Sequence, residues 1–318
     1  MSINYNKYPL VTVYTCVYNG ERTIHRVFNS MKNIKYPNIE HVIINDGSKD
    51  NTDKMICDYI EEVSYPVKYI KKENGGKHTA LNIAWDIAEG FFMIQLDADD
   101  ELLPHSISYL VNQYYSIPQN VRSEYWCVHG RCVTQNNEFV GDRYPDNIND
   151  NYWKNASKLA GKCSGEKIGL QRRDYMKGYR FPEIKGLSHI SESIVWAQIN
   201  KKYGTWYTNE VVRIYYVGEG GNLSDIKKTR KQFGPATFTR KWKIMNEKFY
   251  GKSFKNLLLY SILYFVSDKR YRKHNKYLQD IKNHRLVLKL ISPFCFLLAF
   301  DFPFIRKLQY GFPYCNIV

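Results

Sequence analysis

The chain has 318 residues, 44% of them hydrophobic and 15% aromatic, enough to bury a sizeable core and too much for a solvated, disordered polymer. Its formal net charge of +15 points to a polyanionic partner, and nucleic acid, nucleotide phosphates and an anionic membrane surface all satisfy that demand. Seven scattered cysteines without a C-x-x-C pair exclude a disulfide framework or zinc site as the organising device and imply a reduced, intracellular protein.

The polar start MSINYNKYP has no apolar segment and predicts no secretory signal peptide. LVTVYTCV (10–17) predicts a strand closed by Asn19-Gly20, and a helix follows with Ile24, Val27, Phe28 and Met31 on one face. The unit recurs as IEHVIIN and DGSKDNTDKMICDYIEEV, where Asp50 or Asn51 can cap the helix. It recurs again as VKYIKKE and NGGKHTALNIAWDIAEG, then as FFMIQL and DADDELLPHSISYLVNQYY, where Pro104 suits a first helical turn. Four alternating units predict an α/β fold with a parallel, doubly wound sheet, whose ligands bind beyond the carboxyl ends of the strands. The polar clusters Thr15 to Asn19, Asn45 to Ser48, Asn74 to Lys77 and Asp97 to Asp100 each fall at such an end.

After residue 120 the alternation breaks. EYWCVHGRCV predicts a strand, 135–152 a loop, 171–178 a short helix, HISESIVWAQINKKYG an amphipathic helix, and TWYTNEVVRIYYVG another strand. The glycine-rich YYVGEGGNLSD reads as a flap or a plain connection, and Trp126, Trp153, Trp196 and Trp206 as core residues or as platforms for a sugar ring. From about 226 the composition turns basic and aromatic. Its longest apolar run, LISPFCFLLAF, is about half of the roughly 20 residues that a spanning helix needs. Apolar segments interleaved with Lys and Arg fit helices lying in an anionic membrane interface, the alternative being core helices packed on the catalytic domain. The expected organisation is therefore a catalytic domain over 1–225, with a donor half to about 110 and an acceptor half beyond, and a helical, membrane-associating region over 226–318.

Carboxylates one residue apart at the end of a strand can jointly address a hard divalent cation that keeps water and phosphate oxygens as its other ligands. Such a cation neutralises the charge gathering on a departing diphosphate. VTVYTCVYNGERTI, EHVIINDGSKDNT, ENGGKHTALNIAWDIAEG and IQLDADDELLP, in that order and spacing, resemble the family 2 glycosyltransferases of the GT-A fold. The resemblance covers residues 9–110 strongly and continues more loosely to about 217. It implies a GT-A, Rossmann-like, mostly parallel sheet, and inverting transfer of a sugar from a nucleoside diphosphate donor, usually a UDP-sugar, assisted by Mn²⁺ or Mg²⁺.

Carried over by position, Thr15 and Asn19 line the base and ribose pocket, with Val17 beside them where Cys16-Val17 replaces the proline common in that turn. Asp46 bonds the base, Gly76 and Lys77 lie near base or phosphates, Asp97 with Ala98 faces ribose and metal, and Asp99 ligates the metal. Asp100 is a supporting carboxylate, a possible further ligand, and Glu101 belongs to the following turn. Inversion needs a separate base on the acceptor side. Where the family commonly carries a Glu-Asp pair before a late helix, this chain has Ser191-Glu192-Ser193, so Glu192 is the expected base, with Asp174, Glu183 and His189 as substitutes; His189 is also a possible ligand of metal or pyrophosphate.

The acceptor expected from the C-terminal composition and family habit is a glycan or lipid-linked polysaccharide precursor, at the inner face of the cell membrane. A nucleotidyltransferase would open with a Gly- and Arg-rich phosphate loop, which TCVYNGERT resembles poorly. A nucleic-acid-binding protein would carry its basic residues along the sheet rather than beyond 226. A non-catalytic relative sits poorly with intact Asp46, Asp97 and Asp99.

Overall fold

Eight strands form one sheet in the order β3-β2-β1-β4-β7-β6-β8-β5. They are β1 (Val11–Val17), β2 (Ile39–Asn45), β3 (Val67–Lys71), β4 (Phe92–Gln95), β5 (Glu101–Leu102), β6 (Tyr125–Thr134), β7 (Lys167–Arg172) and β8 (Gly204–Tyr215). The computed structural model describes residues 8–146, 148–151, 165–183, 190, 192–200 and 202–218. These fall into two compact units, the first holding 8–183 and 199–218, the second 190 and 192–198. The sheet belongs to the first. The basic region 226–318, the flap beyond Gly218, Trp153 and His189 lie outside the described residues.

Pairing is parallel for β1 with β2 and β4, for β2 with β3 and for β6 with β8. It is antiparallel for β4 with β7, β6 with β7 and β5 with β8. The mostly parallel α/β expectation therefore holds, and the GT-A type of sheet is completed by reversed strands. β7 is the element that composition did not announce: KIGLQR is short, starts with Lys, contains Gly and ends where a helix of 171–178 was expected. That helix is only the single turn α5 (Arg173–Met176).

β2 is buried along its whole length and β1 nearly so, as strands covered by helices on both faces must be. α1 (Ile24–Lys32) presents Ile24, Val27, Phe28 and Met31 to the core, each side chain contributing about 1.5–3 kcal/mol by leaving water. Phe28 stacks on Tyr59 of α2 (Thr52–Glu62) with ring centroids 4.0 Å apart. Asp50 serves the α2 start, its Oδ1 accepting from Thr52 N at 3.1 Å. α3 (Lys77–Ile87) and α4 (Ser106–Ser116) complete the β-α alternation. Pro104 stands just ahead of α4, and Glu101 lies in β5 rather than in a turn.

Register decides where the polar residues emerge. Val17 is opposite Asn45, and Asn45 opposite Lys71, so β1, β2 and β3 stop at one level. β4 leaves the sheet nearby, Leu96 N donating to Tyr14 O at 3.0 Å.

Candidate functional site

Hydrogen bonds tie the ends of β1 to β4 into one surface. Asn19 adopts a positive φ of 51°, a conformation in which Asn is enriched among non-glycine residues. Its N–H donates to Ser48 Oγ and its Oδ1 accepts from Lys49 N, both at 2.9 Å, so the β1 turn is fastened to the β2 turn. Val17 continues the link, its carbonyl accepting from Asp46 N at 2.8 Å. Thr15 is fully buried, with Oγ1 3.2 Å from His41 Nε2. Its hydroxyl is thus engaged in the core, in line with a His41 that also meets Tyr59 Oη at 2.9 Å.

Asp46 is almost completely buried. Its Oδ1 accepts from Lys72 Nζ and, at 2.9 Å, from Gly75 N, while Oδ2 accepts from Gly76 N at 2.8 Å. A carboxylate has about four acceptor positions, so these bonds leave capacity on Oδ2. The Asp46 carbonyl accepts from Asn74 Nδ2 at 2.9 Å. Asp46 therefore folds the whole β3-α3 loop onto the end of β2, and Gly76, at φ 92°, supplies a backbone that side chains other than glycine rarely adopt.

The first residue of α3 reaches the next strand. Lys77 Nζ lies 2.7 Å from Asp97 Oδ1, which also accepts from Gln95 Nε2 at 3.3 Å. Ala98 packs against the core, and Asp100 N closes the turn on Asp97 O at 3.1 Å. Partial withdrawal from water works against ionisation of Asp97, but Lys77 and Arg213 outweigh it and bring its pKa down to about 2. Burial, then the neighbouring Asp97 charge, raise Asp99 above the usual carboxylate range. Asp100, wholly buried, is pushed up to about 7 by burial against the opposing pull of Arg213. Its Oδ1 accepts from Tyr216 N at 3.0 Å and its Oδ2 lies 3.5 Å from Arg213 Nη1, so this carboxylate faces β8.

Three residues that sequence patterning did not single out frame the turn. Arg26 of α1 donates to the Asp99 carbonyl at 3.3 Å and lies 3.8 Å over the Tyr216 ring. Tyr216 Oη donates to Glu101 Oε1 at 2.7 Å. Arg213 stands in β8, where a lone Arg in VVRIYY gives no sequence signal of which face it occupies.

Among the described residues no group of three or more His, Cys, Asp or Glu side chains is arranged to hold a metal ion. The donor set nonetheless fits a cation that takes one or two carboxylates and completes its shell with water and phosphate. Asp97 is matched by Lys77 and Asp100 by Arg213, whereas Asp99 makes no ion pair among the described residues and is the carboxylate whose ionisation a cation would relieve.

The expected base stands apart from this cluster in the chain. Glu192 precedes α6 (Ser193–Ile199), and its carbonyl accepts from Val195 N at 3.0 Å and Trp196 N at 3.1 Å. It belongs to the second unit, and the acidic turn to the first. Of the substitutes, Glu183 accepts from Asn82 Nδ2 at 2.8 Å. Asp174 pairs with Arg172, which is opposite Phe92 at the start of β4, the end of that strand away from Asp97.

Part of the chain is similar to known proteins. A family model, Glycosyl transferase family 2, matches residues 12–122. The hyaluronan synthase of Pasteurella multocida is 35% identical over 109 residues, 34% of this chain and 11% of that protein. The chain spans about a third or less of the length of the curated relatives it matches. Among solved structures, residues 1–349 of S. aureus TarS in complex with UDP-GlcNAc superpose with a TM-score of 0.51 at 16% identity, covering 87% of this chain and 78% of that one. The mannosyltransferase PcManGT from Pyrobaculum calidifontis, in complex with GDP-Man and Mn²⁺, gives 0.50 at 18% identity, covering 96% and 79%.

Proposed function

We propose that the chain, whose residues 12–122 match the model of glycosyl transferase family 2, moves a sugar from a UDP-sugar to a hydroxyl of a glycan or lipid-linked polysaccharide precursor, with inversion. The observation that carries the reading is the set of hydrogen bonds that ties Asn19 N to Ser48, Asp46 N to the Val17 carbonyl, Gly76 N to the Asp46 carboxylate and Lys77 to Asp97. It assembles base-sized acceptors and donors at one end and a cation beside paired carboxylates at the other, the order in which a nucleoside diphosphate presents its parts. The UDP and Mn²⁺ assignments draw support from TarS with UDP-GlcNAc and from PcManGT with GDP-Man and Mn²⁺.

In this reading Asp46 accepts a base N–H with its remaining Oδ2 capacity, while the Asn19 turn holds the ribose side. Lys77 contributes positive charge to the diphosphate. Asp99 and Asp97 hold Mn²⁺ or Mg²⁺, which when bound supplies charge neutralisation for the leaving diphosphate. Glu192 removes the proton of the acceptor hydroxyl as its oxygen bonds to the anomeric carbon and the bond to the diphosphate oxygen breaks. The carboxylates of the acidic turn are unsuited to that task, since they serve the leaving-group side. The basic and apolar composition of 226–318 supports attachment to the inner face of an anionic membrane, where a lipid-linked acceptor resides; among the described residues no helix is long and apolar enough to cross a membrane.

Thermal shift with UDP, GDP and CDP, each with and without Mn²⁺, tests the donor assignment. The expected result is the largest stabilisation by UDP with Mn²⁺; preference for GDP, or indifference to the metal, overturns it. For the chemistry, Glu192→Gln is expected to lower kcat by about 10²-fold or more with UDP affinity retained, whereas Asp99→Asn weakens Mn²⁺-dependent UDP binding. Near-normal turnover by Glu192→Gln would remove Glu192 as the base.

A further inference from the structure

Arg213 is only 3% exposed, and burying a guanidinium carries a desolvation cost that an ion pair often only just offsets. Its position says what that burial accomplishes. Nη1 lies 3.5 Å from Asp100 Oδ2 and Nη2 lies 3.4 Å from Glu166 Oε2. Asp100 is in turn bonded to Tyr216 N, and Glu101 and Leu102 pair with Ile214 and Arg213 themselves. The acidic turn is thus fastened to β8 by backbone on one side and by charge on the other. Asp97, Asp99 and Asp100 lie within four consecutive residues, and their mutual repulsion would spread the turn without a buried cation at its closed end.

We propose that Arg213 is a positioning residue: by holding Asp100 against β8, it sets the direction in which Asp97 and Asp99 leave the turn and keeps them as a preformed pair. Neither Asp100 Oδ2 nor Arg213 Nε has a hydrogen-bond partner among the described residues. The contact is therefore ionic rather than a bidentate fork, and a lysine can supply most of what it provides. The role as a support for a donor and metal site rests on the function proposed above; the role in ordering the turn does not.

The test uses the full chain with Arg213→Met, Arg213→Lys and Asp100→Asn, read by amide hydrogen exchange resolved to residues 97–101 and by calorimetry of UDP binding with and without Mn²⁺. Arg213→Met is expected to speed exchange in the turn while β1 and β2 keep their protection. It should weaken Mn²⁺-dependent UDP binding about 10- to 100-fold, the scale on which supporting residues act on metal sites, with metal-free binding unchanged. Arg213→Lys should restore most of both. Asp100→Asn, which keeps the acceptor for Tyr216 N, should loosen the same turn and decides the matter where Arg213→Met fails to fold. Unchanged exchange in the turn, or protection lost across the whole sheet without rescue by lysine, overturns the proposal. Should the native chain bind no UDP with Mn²⁺, the donor reading fails, and the exchange data still decide whether Arg213 orders the turn.

Discussion

His41 and His129 are buried imidazoles whose charged forms the core resists. Burial brings His41 down to about 3, and burial followed by the Lys167 charge brings His129 to about 4. In the unfolded chain both titrate near 6.5. Below about pH 6.5 the unfolded chain therefore takes up protons that the folded chain refuses, and stability falls with pH until the folded values are reached. Urea denaturation from pH 7 to pH 5 should show a declining midpoint, each histidine contributing up to about 1.4 kcal/mol per pH unit and together outweighing the raised Asp100, which acts in the opposite sense over the same window. His41→Asn should flatten that slope; an unchanged slope would remove His41 as a contributor. At this same scale the sequence conveys residue type rather than side-chain direction. Asp46, Asp97 and Asp99 draw notice in the sequence because each follows a strand beside glycine or another acid, and Lys77 because it opens α3 directly after Gly75-Gly76. Thr15 reads identically in TCVYN, yet its hydroxyl is spent on His41, since alternation along a strand buried on both faces does not say which helix a side chain meets.

Among the elements, the β3-α3 loop shows how little of a site is set by local propensity. Gly75 and Gly76 are held by the carboxylate and Asn74 by the carbonyl of Asp46, just after β2, and the room for them comes from Gly47. Gly47 has φ 77°, and a Cβ there would stand 2.8 Å from Asn74 N and 3.1 Å from Lys72 O. Gly47→Ala is therefore expected to lower the unfolding free energy by about 1–3 kcal/mol and to weaken nucleotide binding by displacing the loop. Denaturant unfolding and calorimetry check the two effects; an unperturbed alanine variant would show that the loop yields at no cost. The four β-α units were legible because runs rich in β-branched and aromatic residues give way, across polar turns, to apolar residues at helical spacing. β7 was not, because a short reversed strand in the middle of a sheet owes its place to β4 and β6 on either side of it rather than to a pattern of its own.

For the molecule as a whole, charge is segregated. Of 46 Lys and Arg, 20 lie in residues 226–318, against four of the 31 Asp and Glu, giving that segment +16 and residues 1–225 −1. Residues 1–225, which bear the acidic turn, are nearly neutral, so under the proposed function the C-terminal segment is the part that would meet an anionic surface. Flotation of the full chain with phosphatidylglycerol vesicles should succeed at low ionic strength and be reversed by about 0.5 M salt, since a surface attraction of this kind weakens as the Debye length shrinks. Equal flotation with zwitterionic vesicles, or none with either, would overturn the membrane assignment.

The short link between β4 and β5 carries a last consequence. In the order of the sheet these strands stand four places apart, about 19 Å on a flat sheet with strands roughly 4.8 Å apart. Only residues 96–100 join them, and four of those are folded back by the bond from Asp100 N to Asp97 O at 3.1 Å. A connection so contracted reaches β5 only because the sheet curls round to meet it. The acidic segment is accordingly a length gauge for the whole sheet as well as a set of functional groups. Over evolutionary time it should accept exchanges of one side chain for another more readily than it accepts a residue gained or lost.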